Sequence, residues 1–206
     1  MIVSIIGVGL IGGSIGLAIK SEVRSPKSKV KIIGIGRNLK RLKLAKKIGA
    51  VDEITIDIKE GVKDADIVFV CLPVGLIAKT IKSIFPYCKK DTIITDVGSV
   101  KQPIVNDIEK FLTTHHLPLT TAFVGGHPIA GSEKTSVKYA SAELFQNAIV
   151  VLTPTKKTDK NALGIVKKLW EKMKAKVKIM SPACHDKILS MTSHLPHVVA
   201  FALVNS

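Results

Sequence analysis

Aromatic side chains are scarce in this chain: one Trp, two Tyr and six Phe make up 4% of 206 residues. Few of them stand near basic runs, and no zinc-finger spacing, RNP sequence or KH loop occurs. A nucleic-acid partner therefore has neither a stacking platform nor a reading motif to meet. Acidic residues are also few, 16 against 31 Lys and Arg, which leaves a net charge of +15. The lysines are spread along the chain. Such a surface attracts a phosphorylated cofactor and an anionic substrate. Cysteine is limited to Cys71, Cys88 and Cys184, an odd count at wide spacing. That excludes a disulfide framework and suits a reducing cytoplasm. Long uncharged runs are nearly absent too. Residues 2–19 alone reach spanning length, but Gly7, Gly9, Gly12, Gly13 and Gly16 fall inside them and disfavour a lone helix. There is no basic n-region and no A-x-A-like cleavage site, so neither a signal peptide nor a membrane partner is expected.

The chain is 46% hydrophobic, enough at this length for one full core. Apolar, β-branched runs at residues 2–6, 30–35, 67–72, 92–96, 122–124, 148–153 and 176–180 read as strands. Amphipathic stretches at residues 10–20, 39–48, 76–85, 101–112 and 160–174 read as helices between them. This alternation predicts βαβ units and an α/β, Rossmann-type, mostly parallel sheet with helices on both faces. The strands are apolar throughout rather than alternating, as fits a sheet covered on both sides. Ser181-Pro182 looks like a helix start, which divides the chain into residues 1–180 and 181–206. The second part ends in a strongly apolar helix that little in this chain remains to bury. The expectation is that it pairs with another subunit or opens a further helical domain.

The sharpest nucleotide signal is Gly7-Val8-Gly9-Leu10-Ile11-Gly12, placed between a strand and a helix. In this dinucleotide fingerprint Gly7 allows the turn, Gly9 lets backbone approach a pyrophosphate, and Gly12 lets the helix sit close on the strand. Leu10 and Ile11 open that helix, whose free N–H groups face the phosphates. After the second strand comes Gly36-Arg37-Asn38. An arginine at that tip tilts the choice from NAD toward the 2′-phosphate of NADP, with Arg41 as support; an ordinary exposed arginine is the alternative. Leu72-Pro73 follows the strand at 67–72, where ligands of such sheets bind, and could wall the nicotinamide; a plain loop proline is as good a reading.

Three further constellations carry polar groups. Asp96-Val97-Gly98-Ser99-Val100-Lys101 offers a hydroxyl and a lysine for a polar substrate, or Ser99 as an N-cap. Gly125-Gly126-His127-Pro128-Ile129-Ala130-Gly131-Ser132-Glu133 sets a histidine on a loop, either as a general base or as a structural residue. His185-Asp186 and His194-x-x-His197 lie on the final helix. His194 and His197 share a face, but the remaining ligands for a metal are too distant, so none is expected. His115-His116 reads as surface loop.

Together these motifs resemble the prephenate/arogenate dehydrogenase family of tyrosine biosynthesis. The resemblance rests on residues 7–14, on Asp96 to Lys101, on Gly125 to Gly131 with Glu133-Lys134, and on residues 193–203. It implies an NAD(P)-dependent oxidative decarboxylation. Hydride leaves C4 of a cyclohexadienyl acid, carbon dioxide is lost, and the ring becomes aromatic. Prephenate would give 4-hydroxyphenylpyruvate, and arogenate would give tyrosine. By the same resemblance His127 is the catalytic histidine and Ser99 helps hold the C4 hydroxyl. Glu133, Ser132, His194 and His197 belong to the substrate site, and Asp186 supports it. The family continues into an all-helical domain that forms a homodimer and supplies an arginine for the substrate carboxylate; residues 181–206 would be its first helix. Thr135-Ser136-Val137 stands where the family usually carries a glycine. Two alternatives are a related imine or hydroxy-acid reductase and a non-catalytic nucleotide-binding module.

Overall fold

The computed structural model describes residues 1–22, 30–114, 122–131 and 133–204, with the side chains of His194 and His197 outside that description. Ser132, His115 and His116 also lie outside the described residues.

Six strands form the main sheet, in the order β3-β2-β1-β4-β5-β6. They are β1 (Ile2–Ile6), β2 (Lys31–Ile35), β3 (Glu53–Thr55), β4 (Ile67–Val70), β5 (Ile93–Asp96) and β6 (Ala122–Val124). Every pairing among them is parallel. The helices α1 (Leu10–Glu22), α2 (Leu39–Lys47), α3 (Ile58–Val62), α4 (Val74–Ile84), α5 (Gln102–Thr114) and α6 (Lys160–Lys172) cover it. Side chains alternate across the sheet, so each strand feeds two cores. On one face Val3, Ile5 and Phe69 pack with Ile15 and Ile19 of α1, Leu42 of α2 and Trp170 of α6. On the other, Ile6, Val68, Val70 and Ile94 meet Ile77 and Ile81 of α4 and Ile104 and Ile108 of α5. Trp170 is fully buried and takes Phe69 and Phe145 edge-on, at centroid separations of 5.9 and 5.1 Å.

Strands β8 (Ile149–Leu152) and β9 (Lys176–Ile179), both expected as strands, do not extend this sheet. They form a second one with β7 (Gly126–Ile129), in the order β7-β8-β9. Residues 126–129 were expected as loop, because glycine and proline are depleted in strands. They are nevertheless a strand, antiparallel to β8, with His127 opposite Val151 and Pro128 opposite Val150. Pro128 is tolerated because β7 is an edge strand, where one side of the backbone has no ladder to complete. The short β3 and α3 also went unanticipated. Three edge residues give no readable period, although Asp57 caps α3 by accepting from the Lys59 and Glu60 amides.

The uncharged run at residues 2–19 is divided between β1, a turn and α1. A different segment reaches spanning length: α7 (Pro182–Leu189), a π-helical turn at Ser190–His194 and α8 (Leu195–Val204) form a continuous helix of 23 residues, in which an 18-residue stretch has mean hydropathy 1.3. By length and composition it is enough to cross a membrane, so residues 2–19 are not alone in reaching spanning length. Its first half is docked on the body, with Pro182, His185 and Leu189 buried. In its second half Phe201, Leu203 and Val204 are 70 to 84% exposed.

Candidate active site

The turn between β1 and α1 is built on backbone. Gly7 has φ +90°, a conformation that side chains disfavour. A Cβ there would also overlap the Cys71 carbonyl, and Leu72 packs beside it. At Gly12 a Cβ would run into the Gly7 carbonyl, so α1 can lie this close to β1 only with glycine. Gly9 is different: its nearest neighbour on a built Cβ is the Thr135 carbonyl, at an ordinary 3.4 Å. The fold itself does not demand glycine there. A ligand that must approach the backbone does, and the amides of Leu10, Ile11 and Gly12 are first-turn donors of α1, which have no intrahelical carbonyl to meet. The site therefore fits a dinucleotide pyrophosphate.

The other expected cofactor residues lie at neighbouring strand ends. Leu72 is half-buried, and Pro73 is exposed and starts α4, with its carbonyl accepting from the Leu76 amide at 2.9 Å. Arg37 and Arg41 are exposed at the tip of β2, where Asn38 caps α2 by accepting from the Arg41 amide at 3.0 Å.

Next to this turn a second cluster is assembled from side chains. Lys101 was expected to meet substrate. It is fully buried instead, paired with the fully buried Asp96 and donating to the Gly126 carbonyl at 2.8 Å. Asp96 in turn accepts from the Gly126 amide at 3.2 Å and from the Gly98 amide at 2.9 Å. Burial pushes the Lys101 ammonium below its ordinary pKa, and the adjoining Asp96 carboxylate pulls it back up. Both polar groups of Gly126 are thus held by one ion pair, which fixes the residue directly before His127.

Ser99 is half-buried in the loop from β5 to α5, but it is not the cap of that helix. Asp186 of α7 performs that role. Its two carboxylate oxygens accept from the Lys101 and Gln102 amides, both at 2.8 Å. Asp186 also receives the ring of His185, with Nδ1 2.7 Å from Oδ1. Burial works against the Asp186 carboxylate, but these amides and the imidazole outweigh it and hold its pKa below the ordinary value. His185 is fully buried, and its Nε2 lies 2.9 Å from Nδ1 of His127. So His127, His185, Asp186 and the start of α5 form one connected chain.

The sequence reading names His127 and Asp186 through the resemblance but not His185, the link between them. The available signal was a histidine next to an aspartate in the first turns of a helix opened by Ser181, whose side chain caps at the Cys184 amide, 3.2 Å away. Among the described residues no cluster of three His, Cys, Asp or Glu side chains suits a metal ion. Glu133 is exposed, two residues before Thr135, whose carbonyl borders the glycine turn. His194 and His197 fall in the π-helical turn and in α8.

The model of the prephenate dehydrogenase nucleotide-binding domain matches residues 16–179, and that of the prephenate dehydrogenase dimerization domain matches residues 181–206. The chain belongs to the prephenate dehydrogenase family. It is 39% identical over 200 residues to a prephenate dehydrogenase of Bacillus subtilis, covering 97% of this chain and 52% of the relative. It is 35% identical over 202 residues to a cyclohexadienyl dehydrogenase of Zymomonas mobilis, covering 98% and 66%. The chain thus spans one half to two thirds of these curated relatives. A solved Aquifex aeolicus prephenate dehydrogenase, in complex with hydroxyphenyl propionate and NAD+, superposes at a TM-score of 0.88 with 38% identity, covering 100% of this chain and 68% of the other. A Synechocystis arogenate dehydrogenase superposes at 0.86 with 32% identity, covering 100% and 68%. The Rossmann-type reading of the main sheet agrees with these structures.

Proposed function

We propose that this chain is the nucleotide-binding part of a prephenate dehydrogenase and carries the base of the reaction. The observation that carries this reading is His127. It stands on β7 at the carboxyl end of β5, beside a glycine turn shaped for a dinucleotide, with its ring nitrogen Nδ1 engaged by His185. Bound nicotinamide would accept the hydride from C4 of the substrate. His127 takes the proton of the C4 hydroxyl, and the Ser99 hydroxyl helps orient it. As carbon dioxide departs, the electrons of its bond to the ring complete the aromatic system. Glu133, Ser132, His194 and His197 are assigned to substrate, by their match to the family motifs. The high net charge favours approach of a dianionic acid. Prephenate is preferred to arogenate because the relatives named for prephenate are the more similar.

NADP over NAD is the finer assignment, supported by Arg37 and by the absence of an acidic residue at the β2 tip. We further assign residues 1–180 to the cofactor domain and 181–206 to the first helix of a helical domain through which two subunits pair. The exposed apolar face of α8 supports this pairing. A cytoplasmic enzyme fits best. The long apolar helix is docked through His185 and Asp186 and carries family-motif histidines, which a lipid-embedded segment would not spare.

The test is formation of reduced nicotinamide from prephenate, with arogenate, NAD and NADP in parallel, by the wild type and by His127→Asn. Turnover should fall at least ~100-fold in the variant while cofactor binding survives, the scale of losing a general base. Unchanged turnover would remove His127 from the mechanism.

A further inference from the structure

We propose that His185 is a positioning residue that fixes the tautomer of His127, making Nε2 the basic nitrogen; this rests on the assignment of His127 as base. The derivation starts at the far end of the chain. Asp186 receives two backbone N–H groups, one on each carboxylate oxygen. A carboxylate held this way is an acceptor only. Its contact with His185 at 2.7 Å therefore places a proton on His185 Nδ1. In a neutral imidazole the other nitrogen is then an acceptor. That nitrogen, Nε2, faces His127 Nδ1 at 2.9 Å, so His127 Nδ1 is the donor and His127 Nε2 bears the lone pair.

The geometry suits a fixed ring rather than a flexible one. His185 is fully buried, its backbone amide bonds the Ser181 carbonyl at 3.0 Å, and the two imidazoles meet edge-on, 5.1 Å between centroids. When His127 takes a proton at Nε2, its Nδ1–H still donates to His185, and the new charge is directed toward Asp186. A histidine, an aspartate and the start of α5 thereby act on the reaction without touching substrate. The same arrangement gives the docked first half of the C-terminal helix a catalytic reason to sit where it does.

Two measurements on the whole enzyme decide the matter. A proton–nitrogen correlation of the histidine ring nitrogens in the wild type should find His127 protonated at Nδ1. A proton on Nε2, as a doubly protonated His185 would impose, overturns the proposal without any variant. In kinetics, His185→Phe should lower kcat at least ~10-fold, part of the roughly 10²–10⁴ a well-placed base contributes. KM for the substrate and the cofactor Kd should stay within about twofold, since the lost interaction belongs to the proton transfer. His185→Gln puts an amide oxygen near the position of Nε2, can accept from His127, and should recover most of kcat. Equal loss in both variants, or a loss confined to KM, overturns the proposal. If His185→Phe does not fold, the ring-nitrogen measurement still reads the tautomer. If His127→Asn keeps full turnover, the base assignment fails, and the same measurement still tests the tautomer.

Discussion

The cofactor turn and the histidine chain lie side by side but are made by opposite means. The first is backbone, drawn from six consecutive residues, Gly7 to Gly12. The second is side chains, joined across sequence separations of 58 between His127 and His185 and 85 between Lys101 and Asp186. A glycine turn depends on the absence of atoms, so it is broken by adding one. A chain of buried polar groups depends on complete pairing, so it is broken by removing one member. Substitutions in the two regions should therefore differ in what they damage, stability or binding.

The largest effect is expected at the ion pair that holds Gly126. Lys101→Met leaves Asp96 as a buried carboxylate without its cation, a loss of about 3–5 kcal/mol. Urea unfolding measures it. The double change with Asp96→Asn should recover a substantial part, because no charge is then left unpaired. A single variant as stable as the wild type would mean that the pair is not what secures β7.

Second in size is the glycine turn. Gly9→Ala should weaken cofactor binding by about tenfold or more, roughly 1.4 kcal/mol, and leave the thermal midpoint unchanged, because its Cβ meets the protein only at 3.4 Å. Gly12→Ala should do the reverse and lower the midpoint, since its Cβ overlaps the Gly7 carbonyl. Calorimetric titration alongside a thermal melt separates the two. If both variants lost stability alike, Gly9 would be a packing glycine and the cradle reading would fail. Smaller again is Arg37→Ala, which should raise KM for NADP by about tenfold, the worth of one charge-assisted hydrogen bond, with KM for NAD unmoved. Equal change for both cofactors would sever Arg37 from the 2′-phosphate.

The same contrast explains what could be read from the sequence. Strands β1, β2, β4, β5 and β6 and the glycine turn were legible because their signals are local: apolar runs, and glycines at fixed offsets. Pro73 was placed correctly at a strand end, though its use as the start of α4 was not foreseen. The failures fall where pairing decides structure. Residues 126–129 carry loop composition, and only the antiparallel ladder with β8 makes them a strand. Lys101 reads as a substrate ligand because lysines are seldom buried; the Asp96 that allows its burial is five residues away, but the Gly126 carbonyl that completes its bonds is not. Of the two readings of Ser99, the cap of α5 is the one that fails, and no local feature announces that Asp186 takes that place.

The smallest expected effect separates the regions by acid. The glycine turn from Gly7 to Gly12 contains no titratable side chain. The histidine chain ends in Asp186, whose pKa is held below the ordinary carboxylate value by the Lys101 and Gln102 amides and the His185 ring, against the opposing effect of burial. A group depressed on folding adds stability that is fully present above its unfolded pKa, about 3.9 for Asp, and is lost as pH falls through the lower folded value. Protonation leaves one Asp186 oxygen a poorer acceptor for the α5 amides. The change is worth about 1 kcal/mol, the scale of a helix cap. Amide hydrogen exchange should then speed up at Lys101 and Gln102 as the pH falls below about 4, the ordinary Asp value, beyond the intrinsic change of the exchange rate itself. The amide of Gly13, bonded to the Gly9 carbonyl at 2.9 Å, should keep its protection over the same range. Asp186→Asn should remove the acid-dependent step at α5 and leave Gly13 as it was. If Gly13 and Lys101 instead lost protection together, acid would be opening the whole domain, and the two neighbouring regions would share one stability.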